Sequence, residues 1–123
     1  MANKQLFIDG QWREPAVPCY WAVINPANEE VLAQVAVAGA ADAERAIQAA
    51  RRAFDEGAWP ALRVCKRAAV LRDIAQAIED DGEHLARLET LNAGKTLGES
   101  LGDIGSVVGT FRYYAALLEG ESG

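Results

Sequence analysis

The sequence has few of the residues that usually carry catalysis or bind metals. Its 123 residues include only two cysteines and one histidine. Cys19 and Cys65 are far apart and match no metal-ligand spacing, and nothing beside either one supports a nucleophile. His84 has no serine, cysteine or carboxylate at a diagnostic spacing, so a surface histidine is favoured over a catalytic base. Two reduced thiols are typical of a cytosolic protein.

Long apolar runs and positive charge are also lacking. No apolar stretch approaches the length that spans a bilayer, and Met1-Ala2-Asn3-Lys4-Gln5 opens no apolar signal segment. The formal net charge is -6, which disfavours binding to nucleic acid or to an anionic membrane. We therefore expect a cytoplasmic protein with no nucleic-acid partner and no membrane partner.

What is present first is β structure near the N-terminus. Leu6-Phe7-Ile8 precedes Asp9-Gly10, a dipeptide typical of tight hairpins, and Gln11-Trp12 follows. A second strand is predicted over 20–24. It ends at Asn25-Pro26, because proline lacks a donor and holds the preceding residue extended.

A further strand is predicted over 31–37, where apolar residues partly alternate. The predicted strands are too short for a confident independent sheet. We interpret residues 1–38 as an N-terminal β arm that lies against something else.

Residues 39–123 are predicted to be mainly helical. Gly39 is a permissible cap, and the first two helices should run over about 40–56 and 62–81. Gly82 interrupts the pattern, and a short third helix follows. The residues predicted to face inward are Ala43, Ala46, Ile47, Ala50 and Phe54 in the first helix, Val64, Ala68, Leu71, Ala75 and Ile78 in the second, and Leu85, Leu88 and Leu91 in the third.

The fourth helix has the clearest pattern. Gly94 stands where the third helix needs a left-handed C-terminal residue, and Thr96 can cap the fourth. Steps of four and three place one apolar stripe on this helix. The stripe comprises Leu97, Leu101, Ile104, Val108, Phe111, Ala115 and Leu118.

Four glycines lie beside that stripe, at positions 98, 102, 105 and 109. Each costs about 1 kcal/mol relative to alanine in a helix interior. We favour the interpretation that another backbone approaches this smooth face closely. The alternative is that the glycines are neutral, in a helix held by its apolar stripe.

Two patterns could bind phosphate. Arg63, Lys66, Arg67 and Arg72 form a basic cluster on the second helix, but acidic residues follow it, and a solvated helix face is favoured. Gly94-Lys95-Thr96 matches the end of a phosphate-binding loop. The earlier glycine of that loop is missing, and the segment follows a helix, so we reject the match. From residue chemistry alone, the chain is a helical module with a β arm and no named function.

The order of several short motifs nevertheless resembles the opening of the NAD(P)-dependent aldehyde dehydrogenase superfamily. The resemblance covers essentially the whole chain. The motifs are Leu6-Phe7-Ile8-Asp9-Gly10-Gln11-Trp12, Ile24-Asn25-Pro26-Ala27-Asn28-Glu29-Glu30-Val31-Leu32, Ala46-Ile47-Gln48-Ala49-Ala50-Arg51-Arg52-Ala53-Phe54, Trp59, Arg67-Ala68-Ala69-Val70-Leu71, Leu88-Glu89-Thr90-Leu91-Asn92-Ala93-Gly94-Lys95 and Arg112-Tyr113-Tyr114-Ala115.

The chain departs from that family at single positions and in length. The family often has glycine at the position of Glu29, a turn residue for which a positive φ is expected. It commonly has proline where Thr96 stands, and serine, threonine or aspartate where Gly39 stands. Family members are several times longer, and the catalytic cysteine, the glutamate base and the Gly-rich cofactor turn belong to the part that this chain does not match.

The resemblance implies an α/β fold, of which this chain is the N-terminal, mainly helical part: the β arm over 1–38, then the helical part of the cofactor-binding domain over 39–123. It also implies that a monovalent cation is bound by the backbone carbonyl of Ile24 and by Asp103. The alternative for Asp103 is a solvent-facing helix carboxylate. No catalytic or cofactor-binding residue is expected in the chain.

The implied function is that of a longer parent enzyme. It would oxidise an aldehyde, by weak similarity an amino- or betaine-type aldehyde, to a carboxylic acid with NAD or NADP. The parent would be a homo-oligomer. This chain alone, whose partners are the remainder of the enzyme or its subunits, would bind no cofactor and be inactive. The alternative is a stand-alone helical interaction module derived from the family.

Overall fold

The computed structural model describes residues 3–120. The described chain contains five strands, four α-helices and a 3₁₀ turn over Trp59–Ala61. The strands are β1 (Asn3–Lys4), β2 (Leu6–Ile8), β3 (Gln11–Arg13), β4 (Tyr20–Ile24) and β5 (Val31–Ala36). The helices are α1 (Ala40–Asp55), α2 (Val64–Asp80), α3 (Gly82–Ala93) and α4 (Leu97–Gly120). The chain divides into two units, Met1–Pro60 and Ala61–Gly123.

The predicted hairpin is confirmed. β2 and β3 pair antiparallel, with Leu6 opposite Arg13 and Ile8 opposite Gln11. Asp9 and Gly10 connect the strands with φ values of 58° and 73°. Two consecutive left-handed residues match the right-handed twist of a two-residue hairpin, which is why an Asp-Gly pair suits this turn.

The other three strands form a sheet in the order β1-β5-β4. β4 pairs antiparallel with β5, with an irregularity between Val23 and Ile24. β1 pairs parallel with β5 and places Asn3 opposite Gln34. The sequence analysis missed β1, because two polar residues show no alternation and only backbone pairing defines the strand.

The turn between β4 and β5 closes around Asn25. Its N–H donates to Glu30 O at 2.9 Å, its carbonyl accepts from Glu29 N–H at 2.8 Å, and its side-chain Oδ1 accepts from Ala27 N–H at 2.9 Å. Glu29 has a φ of 63°, so the positive φ expected at this position is confirmed. A non-glycine residue there carries backbone strain.

The extent of α1 is confirmed, but its predicted inward face is wrong. Ile47 and Phe54 are 64% and 67% exposed. Asp42 and Ala49 are the buried residues of this helix instead. The apolar stripe of α1 therefore finds no cover within the described residues.

The second unit has a core made by α2, α3 and α4. The predicted faces of α2 and α4 are largely confirmed, and small residues let the helices approach closely. Gly82 begins α3, where a methyl group would meet the Cγ2 atom of Ile104 at 3.5 Å. Leu88, Leu91 and Leu101 were expected inward but are exposed. The buried residues are Ala68, Ala75, Ala86, Ser100, Val108 and Ala115.

No other backbone of the described residues packs on the glycine stripe of α4, so the interpretation that one approaches it closely stays a prediction. A methyl group at any of the four positions would meet no neighbouring side chain or other element within 4 Å. The stripe faces away from α2 and α3, so packing inside this unit does not require glycine there. The glycine that does pack closely is Gly82.

Candidate functional site

The junction between α3 and α4 gathers several polar side chains with defined partners. Gly94 ends α3 with a φ of 74°, and its N–H donates to Thr90 O at 2.9 Å. Thr96 and Glu99 then cap α4 reciprocally: Thr96 N–H and Oγ1 donate to Glu99 Oε2 at 3.1 and 2.9 Å, and Glu99 N–H donates to Thr96 Oγ1 at 3.3 Å. Hydrogen bonds from the Thr96 hydroxyl and then from its backbone lower the pKa of Glu99. The predicted roles of Gly94 and Thr96 are confirmed.

Lys95 lies in the same junction and bridges both helices. Its Nζ is 2.5 Å from Asp103 Oδ2 on α4 and 2.9 Å from Glu89 Oε1 on α3. The hydrogen bond to Asp103, and then the one to Glu89, raise the pKa of Lys95 above its usual range. The ammonium therefore stays charged, and Lys95 holds the two helices together electrostatically.

The two residues predicted to bind a cation belong to different units of the chain. Asp103 is half-exposed and is already paired with Lys95. Ile24 is the last residue of β4, in the first unit, whereas Asp103 belongs to the second. The described residues contain no group of three or more histidine, cysteine, aspartate or glutamate side chains that could hold a metal ion. One carboxylate with a bound ammonium is a poor donor set for a cation, and the assignment stays a prediction.

A cavity of about 490 Å³ opens beside Lys95 between α3 and α4. Its apolar wall comprises Leu85, Leu88, Ile104 and Val107, with the charged residues of the junction on its rim. Apolar walls with few polar groups are typical of binding clefts and of interfaces. The Lys95 ammonium that lines the cavity is paired with the carboxylates of Glu89 and Asp103, so the arrangement is better suited to receive a side chain or a ligand than to react with it.

Two buried polar contacts were missed by the sequence analysis. The first joins the Oγ1 of Thr90 to the Oγ of Ser100 at 2.9 Å, with Ser100 fully buried. The position of Ser100 was a usable signal, because it lies three residues after Leu97 and four before Ile104, on the inward stripe of α4. The contact links α3 to α4 inside the core.

The second missed contact is made by Asp42, which is 1% exposed. Its carboxylate accepts the N–H of Ala16 at 3.1 Å on both oxygens and the N–H of Gly39 at 3.1 Å, and Arg45 Nη1 lies 3.4 Å away. Asp42 ties the segment between β3 and β4 to the start of α1.

The basic cluster of α2 is not assembled into an anion site. Arg72 pairs with Glu119 on α4 at 2.6 Å. The buried Nε of Arg67 has no hydrogen-bond partner within residues 3–120. On the same two helices, Arg112 makes two contacts with Glu79, at 3.2 and 2.6 Å. The hydrogen bond from Arg112 lowers the pKa of Glu79.

The remaining candidate residues, two cysteines and one histidine, lie on the surface. Cys19 and Cys65 are exposed free thiols, and His84 is exposed on α3. Among the helices of residues 3–120, none combines the length and apolar character needed to cross a membrane. The described residues therefore provide a scaffold with apolar surfaces and no assembled reaction centre.

The arrangement of β arm, helical unit and capped junction matches known proteins. A sequence model of the Aldehyde dehydrogenase family matches residues 12–123. The chain belongs to the aldehyde dehydrogenase family.

Relatives agree on this assignment and on how much of the family fold is present. The chain is 43% identical over 121 residues to a betaine aldehyde dehydrogenase of Bacillus subtilis (strain 168), covering 98% of this chain and 25% of that protein. It is 42% identical over 121 residues to the peroxisomal aminoaldehyde dehydrogenase 1 of Malus domestica, covering 96% and 24%. The chain thus spans about a quarter of the length of the curated relatives it matches.

Solved structures show the same fold. A betaine aldehyde dehydrogenase from Staphylococcus aureus, in complex with NAD+, superimposes with a TM-score of 0.90 at 45% identity, over 93% of this chain and 23% of that one. The predicted fold class is confirmed: this chain has the α/β arrangement of the N-terminal part of an aldehyde dehydrogenase, mainly helical here.

Proposed function

We propose that this chain is the N-terminal scaffold of an NAD(P)-dependent aldehyde dehydrogenase that oxidises an aldehyde to a carboxylic acid. The observation that carries the proposal is the family match over residues 12–123, with relatives named for betaine aldehyde and aminoaldehyde oxidation. The substrate class that we propose is accordingly an amino- or betaine-type aldehyde. The cofactor, NAD or NADP, would bind to the rest of the enzyme.

The composition of α4 supports a scaffold role. Only four of its 24 residues are charged, and the others are apolar, small or uncharged polar on every side. One side packs on α2 and α3, whereas Val107, Tyr113, Tyr114 and Leu117 are exposed. A helix that is apolar all round is normally buried on all sides. We therefore infer that further elements of the family fold cover the outer side of α4, including its glycine stripe.

A chimera tests this role directly. The matching N-terminal quarter of the Bacillus subtilis relative would be replaced by this chain, and NAD-dependent oxidation of betaine aldehyde would be measured. We expect an active chimera, because 43% identity over 121 residues preserves the packing surfaces. A folded, soluble chimera without activity, beside an active parent enzyme, would contradict the scaffold proposal.

A matched pair of variants in that chimera tests the outer side of α4. Gly105→Leu adds a bulky side chain to the glycine stripe, and Leu101→Met nearly conserves volume at an exposed apolar position. If the stripe is covered, Gly105→Leu should abolish most of the activity and Leu101→Met should change it little. Equal, small effects would show that the stripe remains open.

The isolated chain should be inactive. Neither exposed cysteine matches the family's nucleophile motif, and no other described residue supplies one. Incubation of the chain with betaine aldehyde and NAD+ should yield no NADH. Steady NADH formation that Cys19→Ser or Cys65→Ser abolishes would overturn this expectation.

The second candidate is a stand-alone interaction module that binds a partner helix through its exposed apolar faces. The exposed Tyr113, Tyr114 and Leu117 are the observation that favours it. An evolved module should be monodisperse with a cooperative melt, whereas a scaffold without its cover should bind apolar dyes and self-associate. An antibody against residues 4–12 would also report the native mass, which is 13.2 kDa for this chain alone.

We propose three further properties of the parent from the family resemblance: a cytoplasmic location, a homo-oligomeric state, and a monovalent cation at Ile24 and Asp103. Free thiols at both cysteines support the first. The third is testable by melting the protein in potassium and in a large organic cation. A potassium-specific stabilisation that Asp103→Asn removes would support the cation site, and its absence would count against it.

A further inference from the structure

A small pocket in the first unit collects three arginines. It has a volume of about 150 Å³ and lies between the β2–β3 hairpin and α1. Arg13 comes from β3, and Arg45 and Arg52 come from α1. Gln48 lies between the two helical arginines, at steps of three and four, so all three α1 side chains project from one stripe of the helix.

The pocket is lined mainly by positive charge, whereas the chain as a whole is negatively charged. Three guanidinium groups line it against one carboxylate, that of Asp9, whereas the whole chain has a net charge of -6. Asp9 Oδ2 is paired with Arg52 Nη2 at 3.0 Å. Arg45 Nη1 contacts the buried Asp42 at a longer 3.4 Å, and Arg13 Nη2 donates to the neutral side chain of Gln11 at 2.6 Å. Because Arg52 and Arg45 each contact a carboxylate, the excess of positive charge in the pocket comes from Arg13.

The guanidinium groups also retain hydrogen-bond donors. Each arginine has five N–H donors in a planar fork, and the contacts just described use one nitrogen of each. Planar forks match the oxygens of phosphate and carboxylate groups in a bidentate manner. The amide nitrogen of Gln48 donates one hydrogen to Glu44 Oε1 at 2.8 Å and retains a second.

The pocket is large enough for a small anion. About 150 Å³ corresponds to roughly five water molecules at about 30 Å³ each, which is enough for one tetrahedral oxyanion. The side chains of Arg45 and Arg52 are about half-exposed, so an anion can enter without rearrangement of the fold.

We propose that Arg13, Arg45, Arg52 and Gln48 form a binding site for a small oxyanion of the phosphate class, supplied either as free phosphate or as a phosphomonoester. The site is separate from the proposed scaffold role and does not depend on it. Arg45 and Arg13 contribute the donors that face the anion from opposite elements, and Arg52 is held in place by Asp9.

Titration calorimetry of the whole 123-residue chain with inorganic phosphate tests the site. We expect saturable binding that weakens about tenfold for each guanidinium removed, and so about a hundredfold in the double variant Arg13→Gln/Arg45→Gln. Arg51→Gln is the matched control, because Arg51 is on the same helix but pairs with Asp55 and lies over Phe54. It should leave phosphate affinity within about twofold.

A second variant tests the same site without removing an arginine, so the proposal is tested even where the double variant does not fold. Gln48→Glu keeps all three arginines and introduces a carboxylate into the pocket, so phosphate binding should fall at least tenfold with an unchanged circular dichroism spectrum. Equal phosphate affinity in wild type and in these variants, or no saturable binding to the wild type, would overturn the proposal.

Two further titrations identify the source of the anion. Glycerol phosphate that binds at least as tightly as inorganic phosphate indicates a phosphomonoester, whereas much weaker binding indicates free phosphate. Acetate should bind at least tenfold more weakly than either, because it offers only two oxygens to three guanidinium groups. Acetate that matches phosphate would contradict the phosphate class.

Discussion

The two units of this chain are stabilised in different ways. Ala61–Gly123 has three helices around a core of small side chains, with Val108 and Ala115 from α4 against Ala68 and Ala75 from α2. Met1–Pro60 places its large apolar residues, such as Phe7, Trp12 and Phe54, on the exposed surface. Its order comes instead from strand pairing and from polar contacts to Asp42 and Asn25.

This difference shows which of the two units gains stability from apolar burial within itself. A helical unit whose residues interdigitate gains free energy from burial within itself. The β arm and α1 gain little from burial inside the chain, so their apolar faces are available to other parts of a larger protein. The following changes test that contrast, from the largest expected effect to the smallest.

The largest effect is expected from a charge in the core of the second unit. Val108 is 5% exposed and its neighbour Val107 is 40% exposed. Val108→Asp should cost at least about 3 kcal/mol, enough to unfold the helices, because a buried carboxylate lacks a partner there. Val107→Asp should change the free energy of unfolding by less than about 1 kcal/mol. Urea unfolding followed by circular dichroism measures both, and similar losses would show that α4 has no preferred inward side.

The next effect concerns the first unit. Asp42→Ala removes the carboxylate that accepts from Ala16 N–H and Gly39 N–H, and should cost about 1–3 kcal/mol. Amide hydrogen exchange at Ala16 and Gly39 should accelerate, while exchange in α4 stays unchanged. Asp55→Ala, which breaks only the exposed pair with Arg51, is the control. Faster exchange throughout α4 in Asp42→Ala would contradict the separation into two units.

A buried hydroxyl pair gives a smaller, non-additive effect in the second unit. Thr90→Val or Ser100→Ala alone should cost about 1–2 kcal/mol, because each leaves the other hydroxyl without its partner. The double variant should cost less than the sum of the two single variants. A double-mutant cycle measured by urea unfolding checks this, and strict additivity would mean that the hydroxyls do not interact.

Two glycine substitutions should have opposite signs. Gly94→Ala should destabilise by about 1 kcal/mol, since its φ of 74° disfavours a side chain. Gly105→Ala should stabilise by up to about 1 kcal/mol, because it is helical and the added methyl group meets open space. Thermal melts of the isolated chain compare them. Destabilisation by Gly105→Ala would show that the stripe is already packed.

The smallest effect is a pH dependence of the pairing between α2 and α4. Because Arg112 lowers the pKa of Glu79 in the folded chain, this pair contributes stability above the unfolded pKa of glutamate and loses it as pH falls through the folded value. Wild type should therefore lose more stability than Glu79→Gln below about pH 4.3. Denaturation curves at a series of pH values measure the difference. If wild type and Glu79→Gln lose stability in parallel as pH falls, the pair between Glu79 and Arg112 does not contribute to the pH dependence.

Sequence periodicity predicted the buried helix faces more accurately in the second unit than in the first. Steps of three and four predicted the core of α2 and α4, because residues near in sequence meet on one helix face. The same steps were wrong for Ile47 and Phe54 on α1, which are exposed in the described chain. Periodicity identifies an apolar face but not what covers it.

The buried polar contacts were also not predicted from the sequence. Asp42 and Ser100 are the largest fully buried side chains, and the partners of Asp42 lie 26 residues away at Ala16 and three away at Gly39. No local pattern predicts that a loop amide will reach a helix carboxylate. The caps at Gly94 and Thr96 were predictable because both partners are near in sequence. The three-arginine pocket could not be predicted from local sequence patterns for the same reason, because Arg13 and Arg45 belong to different elements.

The parallel pairing of β1 with β5 sets an order of events during synthesis. Asn3 pairs with Gln34, so β1 is synthesised before its partner β5 and waits for it before its backbone groups are satisfied. In the second unit, α4 packs mainly on α2, with the whole of α3 between them in sequence, so this packing also waits until α4 has been made. At about 5–20 residues per second, the N-terminal strand stays unpaired for seconds and offers an open edge to any other chain nearby.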